Sequence, residues 1–212
     1  MLIDVIFDPI CPWCYIGKRR LEQALGLRPN IKPAVGWRPF LLNPQIPAEG
    51  IDRTAYLIKK YGSETRVRRI LGSIFQAGQS VEIKFDFEAI GHTPNSVDAH
   101  RLVRYAERFS KTEHAVEELF RGFLLKGRDI GDIQVLADIG NEIGLDKKEL
   151  MDFLEGDDET IFVMNENARA HRLGVNGVPA FVFNEQMVIA GAQEAPVLAK
   201  MLDAAQAGED AA

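Results

Sequence analysis

Cysteine is nearly absent from this sequence: Cys11 and Cys14 are its only two in 212 residues. A structural disulfide across so short a loop would constrain the unfolded chain little. A structural zinc site needs four ligands, commonly two such pairs. No second pair exists, and His92, His100, His114 and His171 show no ligand spacing. Basic excess is also missing: the formal net charge is -6, which argues against nucleic acid as a partner. No run is long or apolar enough to cross a membrane, so no membrane partner is expected. The chain opens Met-Leu-Ile-Asp without a basic, apolar leader pattern, and a cytoplasmic location is the expectation. In that compartment a disulfide is transient and catalytic. Repeats are lacking, as are low-complexity tracts before the acidic, Ala-rich tail.

What is present is a hydrophobic fraction of 46%, enough for a proper core. The length suits one domain with a large insertion, or two small lobes. The organising stretch is Asp8-Pro9-Ile10-Cys11-Pro12-Trp13-Cys14-Tyr15. A β-like run, Met1 to Phe7, precedes it, and a helical pattern with Ile16, Leu21, Ala24 and Leu25 follows. Cys11 is therefore expected at a helix start, where unpaired N–H groups and the helix dipole favour a thiolate. Pro12 suits the first turn. A Cys-X-X-Cys at a strand-to-helix turn reads as a thioredoxin-like redox motif, ahead of zinc, a structural bridge or two unrelated thiols.

Further along, residues 31–40 read as a second strand, giving a parallel βαβ unit. From residue 52 to about 155 the pattern is helical, with no convincing strand and an ambiguous extended piece at 81–87. Ser96, Thr112, Asp132 and Asp146 are expected N-caps, the last with Glu149 in a capping box. A long helix over 158–173 leads to Gly177-Val178-Pro179 and a hairpin, Ala180 to Ala190. A last helix ends near residue 207. Lys18-Arg19-Arg20 and the basic run 66–69 read as solvated helix faces.

This order and spacing resemble a DsbA-like thioredoxin-fold oxidoreductase. The resemblance is to the cytoplasmic branch with polyketide-biosynthesis dithiol–disulfide isomerases. That branch is similar in fold to 2-hydroxychromene-2-carboxylate isomerase and kappa-class glutathione transferase. The stretches that carry it are 8–17, 39–44, 94–106, 174–183 and Gly191-Ala192-Gln193. It implies an α/β class: a thioredoxin-like fold with a large all-helical insertion (DsbA-like). Residues 1–44 and 156–207 would form the thioredoxin-like domain, 45–155 the helical insertion domain, and 208–212 a disordered tail.

The resemblance also implies roles. Cys11 would be the exposed nucleophile and Cys14 the partly buried resolving thiol. Pro179 would be a cis-proline facing the sulfurs, with the Val178 backbone pairing with an extended substrate. Relatives on the isomerase and transferase branches carry Ser where Cys11 stands, so a two-cysteine redox cycle fits better here. Periplasmic oxidases resembling this chain have His inside the motif. Pro12-Trp13 in its place implies a milder oxidant. No tightly bound cofactor is implied, with glutathione as a candidate co-substrate. Protein or small-molecule disulfides and dithiols are the expected partners. A homodimer is a further expectation, because relatives are often dimers.

For single residues two readings stand side by side. Trp13 is an apolar substrate contact or a ring folded onto its own surface. Asp8 tunes the thiol or serves turn chemistry, the second being favoured. Tyr15 donates near the sulfurs or packs the helix. Asn43 and Gln193-Glu194 fall where glutathione-binding relatives contact the tripeptide, and loop or cap roles are the alternative. His100 with Arg101 points to packing. Three functions compete: a dithiol–disulfide oxidoreductase or isomerase, a glutathione-dependent isomerase or transferase for a small organic substrate, and a non-catalytic redox sensor.

Overall fold

The computed structural model describes residues 1–210. In chain order the elements are β1 (Leu2–Phe7), α1 (Pro12–Gly26), β2 (Ala34–Pro39), β3 (Ile51–Asp52), α2 (Arg53–Tyr61), α3 (Glu64–Gln79), β4 (His92–Thr93), α4 (Val97–Glu107), α5 (Thr112–Lys126), α6 (Ile133–Glu142), α7 (Lys147–Glu155), α8 (Thr160–Arg172), β5 (Ala180–Phe183), β6 (Met187–Ala190) and α9 (Ala195–Asp210). They divide into two units: Met1–Leu42 with the chain from Glu166 onward, and Asn43–Asn165. The second division falls inside α8 rather than ahead of it, where the sequence boundary at 155–156 was expected.

The first unit is built on a four-stranded sheet of order β2-β1-β5-β6. β1 and β2 run parallel, from Leu2 opposite Ala34 to Phe7 opposite Pro39. β1 and β5 are antiparallel, Ile3 facing Phe183 and Ile6 facing Ala180. β5 and β6 close the hairpin, Phe183 facing Met187. β1 is an apolar run because both its faces are covered. Ile6, Ala180 and Val182 pack with Phe40, Ala170 and Val175, while Phe7 meets Trp37 edge to face at 4.9 Å. Asp4 breaks the apolar run. Its buried carboxylate takes Arg38 Nε at 2.8 Å, and Gly36 opposite it has no Cβ that would meet Asp4 Oδ1 at 2.5 Å.

The second unit is helical except for one two-residue antiparallel ladder, Ile51 with Thr93 and Asp52 with His92. The all-helical expectation missed it because two residues carry no readable period. Residues 81–87 form neither helix nor strand, yet Val81, Ile83 and Phe85 alternate inward. Arg101 is the unit's main polar anchor. It is 2% exposed, and its five N–H groups reach Asp158 O, Leu154 O, Phe153 O, Gly156 O and Asp98 Oδ1 at 2.7–2.9 Å. Most of those carbonyls end α7, where a helix has no acceptor partners of its own.

Several caps differ from expectation. Asp132 and Asp146 cap as expected, accepting from Gln134 N and Glu149 N. Ser96 holds the N-cap position of α4 without a side-chain bond; Asn95 Oδ1 takes Val97 N–H instead, at 3.0 Å. Thr112 is the first residue of α5, with Lys111 before it. α9 runs to Asp210, so 208–210 are helical where a disordered tail was expected; 211–212 lie outside the described residues.

Candidate active site

β1 delivers the chain to the site at Phe7, and Asp8-Pro9-Ile10 turns it into α1. Cys11 N–H donates to Asp8 O at 2.9 Å, and Cys14 N–H to Cys11 O at 3.0 Å. Pro12 lies in the first helical turn, where no intrahelical N–H partner is needed. Cys11 occupies the N-cap with extended φ -88° and ψ 112°, and its side chain makes no capping bond. The sulfur is thereby left for other work. It lies 3.6 Å from Val178 O, within reach of a weak S–H···O hydrogen bond. The Val178–Pro179 peptide bond is cis. Three of the sequence's candidates, Cys11, Val178 and Pro179, thus meet at one spot. Cys14 stands one helical turn behind Cys11.

Both thiols are free and buried. Cys14 is fully enclosed at 0% exposure, whereas Cys11 keeps 4%. This corrects the exposed Cys11 implied by the resemblance: the residue is buried in the free protein. Trp13, between them, is 37% exposed. Burial pushes the Cys14 thiol well above the ordinary cysteine value, and a hydrogen bond and charge from Cys11 push the same way. The Asp8 backbone N–H opposes this, and the Asp8 carboxylate adds a smaller upward push.

Asp8 does more than turn chemistry. It is fully buried; Oδ1 accepts Ile10 N–H at 3.2 Å and Oδ2 accepts Leu42 N–H at 2.8 Å. Next to it, Leu41 N–H donates to Asn167 Oδ1 at 2.9 Å. Tyr15 is buried, and its hydroxyl accepts from Arg19 at 2.9 Å. Asn43 accepts from the Tyr56 hydroxyl, Gln193 Nε2 donates to Ala190 O, and Glu194 pairs with Arg20. His100 is buried within α4.

Sequence reasoning found Ile16, Leu21 and Ala24 on the buried side of α1 but missed Gly17, Lys18 and Arg20 there. Gly17 has to be small: a Cβ there would stand 2.8 Å from Pro179 Cγ and 3.2 Å from Phe181 Cζ. Lys18 and Arg20, expected on a solvated face, are buried at 4% and 8%. Lys18 pairs with Glu22, and Arg20 reaches Ala192 O and Glu194. Spacing offered one signal, since Gly17, Arg20 and Leu21 share a helix face. Among the described residues, no cluster of three or more His, Cys, Asp or Glu could hold a metal. Among them too, no helix is long and apolar enough to cross a membrane.

The chain belongs to the DSBA-like thioredoxin domain family, whose pattern it matches over residues 2–203. It is similar to a probable DsbA oxidoreductase of Streptomyces coelicolor, with 27% identity, TM-score 0.91, and 98% of this chain and 90% of that one covered. It is 26% identical to an uncharacterized Bacillus subtilis protein, YwbO, over 94% of each chain. The fold is also that of the cytosolic disulfide reductase DsbM from Pseudomonas aeruginosa, solved with GSH. There the TM-score is 0.64 and the identity 17%, with 100% of this chain and 98% of that one covered.

Proposed function

We propose that this protein is a thiol–disulfide oxidoreductase or isomerase working through Cys11-Pro12-Trp13-Cys14. The observation that carries the reading is the Cys11 sulfur, unused in capping, 3.6 Å from Val178 O with a free Cys14 behind it. The Cys11 thiolate attacks one sulfur of a substrate disulfide. A Cys11–substrate bond forms, the substrate bond breaks, and the departing thiolate takes a proton. Cys14 then gives up its proton and attacks Cys11, releasing the second substrate thiol and leaving an enzyme disulfide. Two electrons pass from enzyme to substrate; run in reverse, a dithiol is oxidised.

Burial keeps the Cys14 thiol protonated, so it gives up that proton before it attacks Cys11. Val178 and Pro179 line the approach, and Trp13 offers an apolar surface to the substrate. Glutathione is the proposed small co-substrate, and the cytoplasm the proposed setting. A second reading is a glutathione-dependent isomerase or transferase. It is disfavoured by Cys14, a resolving thiol such chemistry does not need.

The test is turnover of insulin disulfides with dithiothreitol or glutathione as reductant. Wild type turns over and Cys11→Ser does not. Retained turnover in Cys11→Ser refutes the assignment.

A further inference from the structure

Arg20 stands one turn beyond Gly17 on α1, and the functional reading gives it nothing to do. It is a cation with 8% exposure, and both of its described partners lie on one short loop. Its Nη1 donates to Ala192 O. Its Nη2 meets Glu194 Oε1 at 2.5 Å, while the Glu194 side chain is 68% exposed. That loop follows β6. Gly191 enters it with φ +84°, a conformation that suits glycine. Gly191 N–H donates to Pro179 O at 2.7 Å, and Gln193 N–H and Nε2 fold the loop back on Gly191 O and Ala190 O.

A closed circuit follows. α1 touches Pro179 directly, through the missing Cβ of Gly17. It holds Pro179 a second time through Arg20, the 191–194 loop and the Gly191 hydrogen bond. The first contact is steric; the second is charge-assisted and directional, because a guanidinium fork fixes orientation where a single ammonium does not.

We propose that Arg20 is a positioning residue that fixes the Gly191–Glu194 loop and, through Gly191, the Val178–Pro179 segment against which a disulfide substrate docks. This deepens the oxidoreductase reading and rests on it. Arg20 touches no reacting atom. Its loss loosens substrate docking equally in ground state and transition state, so it acts on KM and spares kcat.

The test measures kcat and KM separately for reduction of a peptide disulfide by the full-length protein, with thermal unfolding recorded beside them. Arg20→Met, which keeps an apolar stem, is expected to raise KM roughly tenfold with kcat changed less than about twofold. Glu194→Gln, on the exposed end, is expected to raise KM a few-fold. Arg20→Lys is expected to recover part of the Arg20→Met loss. A wild-type KM in Arg20→Met overturns the role, as does a loss confined to kcat. If Arg20→Met does not fold, Glu194→Gln decides alone: an unchanged KM overturns the role and a raised KM supports it. A wild type without Cys11-dependent turnover overturns the oxidoreductase reading and this role together. A turning-over wild type beside an unaffected Arg20→Met overturns the role only.

Discussion

The sulfur of Cys11 lies 3.6 Å from the carbonyl oxygen of Val178, a residue 167 positions further along the chain. β1 and β5 bring this about by pairing directly, Ile6 opposite Ala180. The residues just past the end of one strand and just before the start of the other then meet at the same end of the sheet. The site is a by-product of strand register, and register is set by the apolar pattern of both strands.

Gly17 is the first place to test that geometry. A methyl at 2.8 Å from Pro179 Cγ and 3.2 Å from Phe181 Cζ forces a ring or the helix to move. Gly17→Ala is expected to destabilise by about 1–3 kcal/mol in urea unfolding, the usual cost of overpacking. Substrate turnover should fall in the same protein. Unchanged stability would mean that α1 shifts freely over β5.

The Cys14 thiol yields a pH prediction. Its folded value is raised well above the ordinary 9.0, first by burial and then by Cys11. Above pH 9.0 the unfolded chain gives up this proton while the folded chain keeps it. The folded state therefore binds more protons, and stability of the reduced protein falls as pH rises through that window. Denaturant midpoints of reduced wild type should drop from pH 8.5 to 10, and Cys14→Ala should flatten that part of the slope. Parallel slopes would contradict a buried, protonated Cys14.

Asp8 can be separated from its backbone. Its N–H favours the Cys14 thiolate, while its carboxylate opposes it as the smallest of the causes. Asp8→Asn keeps the N–H and removes the charge, so Cys14 should ionise slightly more easily. Thiol absorbance titration of the Cys11→Ser background checks this. Asp8→Ala strips the acceptors from the buried Ile10 N–H and the part-buried Leu42 N–H, at roughly 1–3 kcal/mol for the buried donor and less for the other.

Much of this site was legible in the sequence, for a physical reason. β1, the Cys-X-X-Cys turn, Gly-Val-Pro and the final hairpin are local patterns with their own periods and punctuation. Asp132 and Asp146 announce their helices in the same way. Residues whose meaning depends on partners far along the chain did not show themselves. Lys18 and Arg20 look like surface charges until Glu22, Ala192 and Glu194 are seen around them. Asp4 looks misplaced in a buried strand until Arg38 and Gly36 supply its partner and its room. Ser96 is the expected cap, yet Asn95 makes the bond. The near-complete burial of Cys11 is likewise a tertiary fact that no local pattern records.

Arg101 gives a test independent of the thiols. Four of its five bonds hold the end of α7 and the segment after it, and the fifth goes to Asp98 on α4. Arg101→Met leaves four carbonyl oxygens and Asp98 without this donor and should cost roughly 3–5 kcal/mol, the range for breaking a buried charged network. Arg101→Lys should recover little, because one ammonium cannot reach the same spread of acceptors. Urea titration followed by far-UV circular dichroism measures both; a loss under 1 kcal/mol would mean the carbonyls find water instead.

The most direct measurement is intact mass after reaction of the Cys14→Ser protein with a peptide disulfide. A two-thiol exchange cycle predicts one stable adduct of a single substrate thiol on Cys11, released by dithiothreitol and absent from the Cys11→Ser, Cys14→Ser double variant. Free Cys14→Ser protein with no adduct, or an adduct that forms equally in the double variant, would contradict the cycle.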